Sequence, residues 1–451
     1  MSTVDFAWGA ATAAYQIEGG VDEDGRGPSI WDHFSHTPGK VHNDETGDVA
    51  CDHYHRWRED VALMRRMGLN AYRFSIAWPR VLPLGAGAIN PAGLDWYDRL
   101  VDALLEAGIQ PWATLYHWDL PQALQDQGGW ANPATVDAFV DYTAAVTTRL
   151  GDRVKRWVTF NEPWCSAFLG HYTGEHAPGL HDAGLALRVA HALLLAHGRA
   201  VPVVRANSPG ARVGITLNVT SVLPATDTLA DQAAARRYDG FLNRWFLDPL
   251  YGRGYPKDML AHYGGMSYLT FLDSASEADM RSIAVPTDFL GVNYYNPHRV
   301  VADETDALLG AAARRPPLAA VTQMGWVVQP ASLFDLLRDL AAEYPVGSLA
   351  VTENGAAYPD PTPRGGRVPD SDRTRYLVEH VAAAVRAVTA GVPLCGYFAW
   401  SLLDNFEWAW GYSRRFGIIH VDFRTQQRTL KDSARWYSGY LKEALAGSRS
   451  P

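Results

Sequence analysis

Eight short apolar stretches, each followed by an amphipathic helical pattern, run through the 451 residues of this chain and leave few folds open. Strands are predicted near 6–10, 69–76, 110–116, 155–160, 211–218, 288–293, 348–352 and 394–400. Helices are predicted over 56–67, 93–107, 133–150, 183–201, 229–245, 331–343, 371–389 and 431–445. Leu94, Tyr97, Leu100, Val101 and Leu104 carry the three-and-four spacing of a helix with one buried face, and Gly108 stops that helix. Strand then helix, eight times over, predicts an α/β protein. The expected form is a single (β/α)8 TIM barrel over residues 1–445, with extended βα-loops forming the pocket. The stretches 262–280, 302–322 and 356–370 are rich in Gly, Pro, Asp and Arg and read as long loops. Residues 446–451 read as a disordered tail.

A barrel of this kind gathers its chemistry at the C-terminal ends of its strands. Polar and aromatic residues recur at that phase in nearly every unit. Gln16 and Glu18 follow the first strand, Arg73 lies late in the second, and His117-Trp118 ends the third. Asn161-Glu162 ends the fourth, Asn218 the fifth, Asn293 and Tyr295 the sixth, Glu353 the seventh and Trp400 the eighth. Two of these stand out. Glu162 lies in Thr159-Phe160-Asn161-Glu162-Pro163 and Glu353 in Val351-Thr352-Glu353-Asn354-Gly355. Each closes a β-branched or aromatic run and is followed at once by a chain-breaking segment. A pair of carboxylates held this way is what cleavage of a glycosidic bond requires, one as acid and the other as nucleophile or base.

Composition narrows the field further. A net charge of −9 and a pI near 5.9, without a basic stripe, argue against a nucleic-acid partner. Sixteen tryptophans exceed what the core needs, and flat aromatic faces suit sugar rings. Cys51, Cys165 and Cys395 are odd in number and widely spaced, so no disulfide framework is expected. Met1–Asp5 shows no signal-peptide pattern and no apolar run is read as long enough to span a bilayer, so the expected compartment is cytoplasmic, with no membrane partner. The histidines show no metal-ligand spacing, and neither a metal nor a cofactor is expected.

Several segments together resemble glycoside hydrolase family 1, the retaining β-glucosidases and β-galactosidases. Phe6-Ala7-Trp8-Gly9-Ala10-Ala11-Thr12-Ala13-Ala14-Tyr15-Gln16-Ile17-Glu18-Gly19 is similar to the family's N-terminal motif. Thr159–Pro163 resembles its acid/base motif and Thr352-Glu353-Asn354-Gly355 its nucleophile motif. Arg73-Phe74-Ser75-Ile76, Trp78-Pro79-Arg80 and the run from Trp400 to Trp408 match further blocks, in order along the whole chain.

The resemblance implies roles. Glu353 would be the nucleophile and Glu162 the acid/base, about 5–5.5 Å apart as a retaining mechanism needs. Arg73, Asn293 and Tyr295 would support them. Gln16, His117, Trp118, Asn161, Trp400, Glu407, Trp408 and Phe416 would bind the glycone, with Trp400 as its floor. Trp326, Cys165 and His176 would line the aglycone side. The family's thioglucosidases carry Gln at the acid/base, where this chain has Glu162. Its 6-phospho-glycosidases carry Ser where this chain has Glu407, whose negative charge would repel a 6-phosphate. The resemblance thus implies an exo-acting β-glucosidase with β-galactosyl or β-fucosyl side activity, acting on a β-glucoside or oligosaccharide. A transglycosylase would use the same groups. A binding protein on a barrel scaffold would have no use for the nucleophile.

Overall fold

The computed structural model describes residues 6–273 and 275–447. Its strands are β1 Ala7–Ala11, β2 Ala71–Ser75, β3 Gln110–Tyr116, β4 Arg156–Asn161, β5 Arg212–Leu217, β6 Phe289–Asn293, β7 Leu349–Asn354 and β8 Leu394–Trp400. They are parallel, each beside its neighbour in sequence, and β8 closes on β1 from Ala7 with Gly396 to Ala11 with Trp400. The helices that follow them in turn include α1 His53–Met67, α2 Pro91–Glu106, α3 Pro133–Leu150 and α4 Ala183–Asn207. The second half contributes α5 Leu229–Asp239, α6 Pro330–Glu343, α7 Ser371–Thr389 and α8 Asp432–Gly447. The barrel is filled rather than hollow: the Trp112 ring lies between Phe289 and Phe398, 5.2 and 5.0 Å away.

Local chemistry sets the element ends. Leu94, Tyr97, Leu100, Val101 and Leu104 are buried along α2. Gly108 takes φ +73° just beyond it and donates its N–H to Leu105 O at 2.9 Å, a turn that a side chain would strain. Helix α8 runs to Gly447 and so includes the first two residues of the expected tail; residues 448–451, like Met1–Asp5, lie outside the described residues. Two expected loops hold regular structure. Residues 262–280 include parts of the helices Lys257–Gly264 and Glu277–Ile283, the latter opened by a reciprocal Ser276–Asp279 cap. Residues 302–322 supply Ala311–Ala313 to a small sheet with Val222–Pro224 and His298–Ala302. One further expectation fails: α4, 25 residues with mean hydropathy 1.2 in its most apolar stretch, is long and apolar enough for a bilayer. It packs along α3, and 67% of that stretch is buried.

The βα-loops after β7 and β8 are joined underneath by buried charges. Lys431, fully buried, reaches both Asp360 and Asp404, the latter at 2.6 Å. Arg373 binds Asp360 at 2.8 Å and Asp370 at 2.7 Å, while Arg415 holds the second oxygen of Asp404 at 2.7 Å. The desolvation cost of so many ions is offset because each carboxylate meets a cation at hydrogen-bond distance.

Candidate active site

At the C-terminal mouth of the barrel lies a cavity of about 410 Å³, bordered by Glu162, Glu353 and Glu407 together with His117, Trp118, Asn293, Tyr295, Trp326, Trp400 and Trp408. Strand register breaks where it is needed to aim these groups. The β4–β5 pairing shifts between Val158 and Asn161, and the β6–β7 pairing shifts between Val351 and Glu353, bringing Glu353 opposite Asn293. Gly355 follows because its α-carbon presses on β8; a side chain there would meet Trp400 O at 1.7 Å. Its need is close approach, not the tight turn that its sequence suggests.

Glu353 is held at both oxygens. Arg73 Nη1 donates to Oε1 at 2.6 Å and the Tyr295 hydroxyl donates to Oε2 at 2.6 Å. Burial pushes its pKa up, and the guanidinium and the phenol hold it down. Glu162 is also held at both oxygens, by Asn293 Nδ2 at 2.6 Å and by the Cys165 thiol at 2.9 Å. Burial first, and then the charge of Glu353, push Glu162 up to about 7. Since the one cation of the cluster lies on Glu353, the shared proton belongs on Glu162. The two carboxylates thereby differ in the way acid/base chemistry near neutrality requires.

Around this pair the polar side chains form one network. Asn161 Oδ1 accepts from Arg73 Nη2 at 2.6 Å and from Asn293 Nδ2 at 3.0 Å, and its Nδ2 donates to His117 Nε2 at 3.0 Å. That bond leaves the imidazole proton on Nδ1, and burial keeps the ring neutral. His117 Nδ1 and Gln16 Oε1 are buried with no hydrogen-bond partner among the described residues. Gln16 Nε2 is used on Phe406 O at 2.9 Å and reaches Glu407 Oε2 at 3.4 Å. A free buried donor and a free buried acceptor are what a ligand rich in hydroxyls would complete.

The family pattern of glycosyl hydrolase family 1 matches residues 3–444. The chain belongs to that family. It is 48% identical to "Beta-glucosidase A" of Thermotoga maritima, with 97% of each chain covered. To the "Bifunctional beta-D-glucosidase/beta-D-fucosidase" of Bifidobacterium breve it is 45% identical, over 98% of each. Among solved structures, the Thermotoga maritima β-glucosidase in complex with glucoimidazole superimposes with a TM-score of 0.93 at 47% identity, over 98% of each chain. A family 1 chain is a glycoside hydrolase.

The arrangement redistributes some expected residues. Phe416, expected on the glycone side, stands 6.0 Å from Trp326 and 6.1 Å from Tyr295 in the aromatic wall around Trp326. His176 borders the same cavity as Trp326 and packs on Trp31 and Trp118, each 5.3 Å away, and on Trp408 at 6.3 Å. Cys165 borders the cavity, but its thiol is spent on Glu162. Trp118 gives its Nε1–H to Asn161 O at 2.9 Å and so offers only its apolar face. Trp400 is buried with its ring 5.9 Å from His117. Glu407, expected as a fixed negative charge, is pushed up to about 8, by burial first and then by Glu353, so its protonated form prevails at neutral pH. Glu18 is not part of the cavity: it pairs with Arg80 at 3.1 Å and accepts from Tyr97 at 2.6 Å. Asn218 does border it.

Sequence reasoning missed the outer wall, where Trp164, Tyr238, Leu242, Asn296, His298 and Trp410 border the cavity. It also missed the backbone. Trp118, Glu162 and Trp408, all at the cavity, take φ of +79°, +46° and +48°, a region costly for residues with a Cβ. Asp119, next to Trp118, is fully buried; neither carboxyl oxygen reaches another residue's donor, and burial pushes its pKa up to about 8.

Proposed function

We propose that the protein is a retaining exo-β-glucosidase that removes terminal non-reducing β-D-glucosyl residues through a covalent ester on Glu353. The observation that carries this reading is the unequal treatment of the two glutamates: Arg73 and Tyr295 on Glu353, burial and a neighbouring carboxylate on Glu162. In the first step a Glu353 oxygen attacks the anomeric carbon while Glu162 passes its proton to the departing glycosidic oxygen. Once esterified, Glu353 no longer bears charge, and the pKa of Glu162 falls. As a carboxylate Glu162 then takes a proton from water, whose oxygen displaces the ester with overall retention. Asn293 steadies both steps through Glu162 and through Asn161.

Gln16, His117, Asn161, Glu407 and Trp408 would bind the hydroxyls of the glycone over Trp400, with Trp118 as an apolar side wall. Support for an unphosphorylated sugar comes from the cavity lining, which among the described residues includes no lysine or arginine. Activity on β-fucosides is suggested by the bifunctional relative. The three free cysteines are compatible with a reducing, cytoplasmic setting. The test is a 2-deoxy-2-fluoro-β-glucoside with a good leaving group, which traps the ester because fluorine slows its hydrolysis. Peptide mapping should place the sugar on Glu353; a label on any other residue refutes the assignment.

A further inference from the structure

Of the sixteen tryptophans, Trp410 is the one that ranks among the large exposed apolar side chains, at 43% exposure among the described residues. Leaving an indole in water forgoes the burial that the other tryptophans obtain, and this one borders the catalytic cavity. It lies two residues after Trp408, in the short helical turn Trp408–Trp410.

The turn is held rigidly from several sides. Glu407 N donates to Gly411 O at 2.7 Å, Tyr412 N to Glu45 Oε2 at 2.6 Å, and Ser413 Oγ to Trp410 O at 2.6 Å. Gln323 Nε2 reaches Ser413 O at 3.4 Å and so joins the turn to the segment that carries Met324 and Trp326. Arg414 lies over the indole, its guanidinium carbon 4.3 Å from the ring centroid. Among the described residues that cation hydrogen-bonds only to Ser413, at 3.4 Å, and its buried Nε–H has no partner. An aromatic plate fixed in advance, with an unspent guanidinium beside it, pays little ordering entropy when a ligand arrives.

We propose that Trp410 and Arg414 form an outer subsite that stacks a sugar ring of a linear β-linked gluco-oligosaccharide, beyond the ring next to the cleaved bond. The inference rests on the β-glucosidase reading and adds a preference for chain length. The ring presents its axial C–H face to the side of the indole away from Arg414, whose guanidinium backs the plate. On this reading a substrate with three rings covers the plate, whereas a methyl glucoside leaves it empty.

The experiment compares kcat/KM for methyl β-glucoside, cellobiose, cellotriose and an aryl β-glucoside in the native enzyme, Trp410→Ala and Trp410→Phe. In Trp410→Ala the ratio of cellotriose to methyl glucoside should fall about 3- to 10-fold, the strength of one aromatic contact. Trp410→Phe should recover most of that ratio. An unchanged ratio overturns the proposal. So does an equal fall on all four substrates, which would mark a distorted glycone site, or a fall confined to the aryl glucoside, which would make the plate an aryl site. Failure of the native enzyme on every β-glucoside would instead refute the underlying function.

Discussion

Replacing Cys165 by valine removes one donor from the acid/base carboxyl and changes little else, because the two side chains are close in volume and the site is buried. The thiol donates to Glu162 Oε2 at 2.9 Å, a bond that favours the carboxylate over the acid and holds the pKa of Glu162 down against burial and Glu353. A hydrogen bond to a charged group contributes about 1.5–3 kcal/mol, and a thiol is a weak donor, so about half of that is at stake. At 1.36 kcal/mol per pKa unit, the pKa of Glu162 should rise by about 0.5–1 unit in Cys165→Val. The basic limb of kcat/KM, measured against pH with an aryl glucoside whose leaving group needs protonation, should move up by the same amount. Cys165→Ser keeps a donor and should leave that limb where it is or move it down. If the valine variant shows no shift, or if serine and valine shift alike, the thiol does not tune the acid.

Arg73→Gln should lower kcat by about 10²–10³, as loss of a preorganised charge partner does, and should move the acid limb up because Glu353 loses its cation; an unmoved acid limb would show that Tyr295 suffices. Glu353→Gly should lose nearly all hydrolysis but regain turnover with a small external anion, and polarimetry should find the product inverted; a retained product would mean that another side chain is the nucleophile. Asp119 titrates near 8 in the fold against about 3.8 in the unfolded chain, so the folded state holds its proton more tightly and stability drops as pH rises through that window. In Asp119→Asn the fall in Tm between pH 6 and pH 9 should be smaller than in the native protein; an equal fall would place the loss elsewhere.

The barrel strands were legible because a strand buried on both faces leaves a compact apolar signal; each lies within two residues of its expected position. The polar residues at their C-terminal ends were legible as a set because closure of a barrel brings one phase of every strand to one mouth. Their pairings were not. Arg73 and Glu353 are 280 residues apart, and no local pattern says that one guanidinium binds both Glu353 and Asn161. The contacts of Phe416 with Trp326 and of His176 with Trp118 depend on loop paths, as does the outer wall. The cap at Ser276 and Asp279 was written in the sequence, yet the surrounding Gly and Asp content hid it. The positive φ values at Trp118, Glu162 and Trp408 had no signal at all, since none of these residue types favours that region.

The charges beneath the last two βα-loops bear on how this scaffold could be recombined. Asp404, just ahead of Glu407, shares Lys431 with Asp360, and Lys431 stands between the final hairpin Ile419–Asp422 and Gln427–Leu430 and helix α8. A graft that carried only residues 401–416 into a homologous barrel would keep the Asp404–Arg415 pair but part Asp404 from Lys431, leaving one buried carboxylate oxygen without its cation. The transferable unit is therefore loop seven, loop eight and the C-terminal hairpin taken together. Apart from Trp410, the outer wall is assembled differently, from Trp164, the helical stretch with Tyr238 and Leu242, and the chain from Asn296 into the small sheet at His298. One end of the cavity is inherited as a block, while the other can be altered a segment at a time.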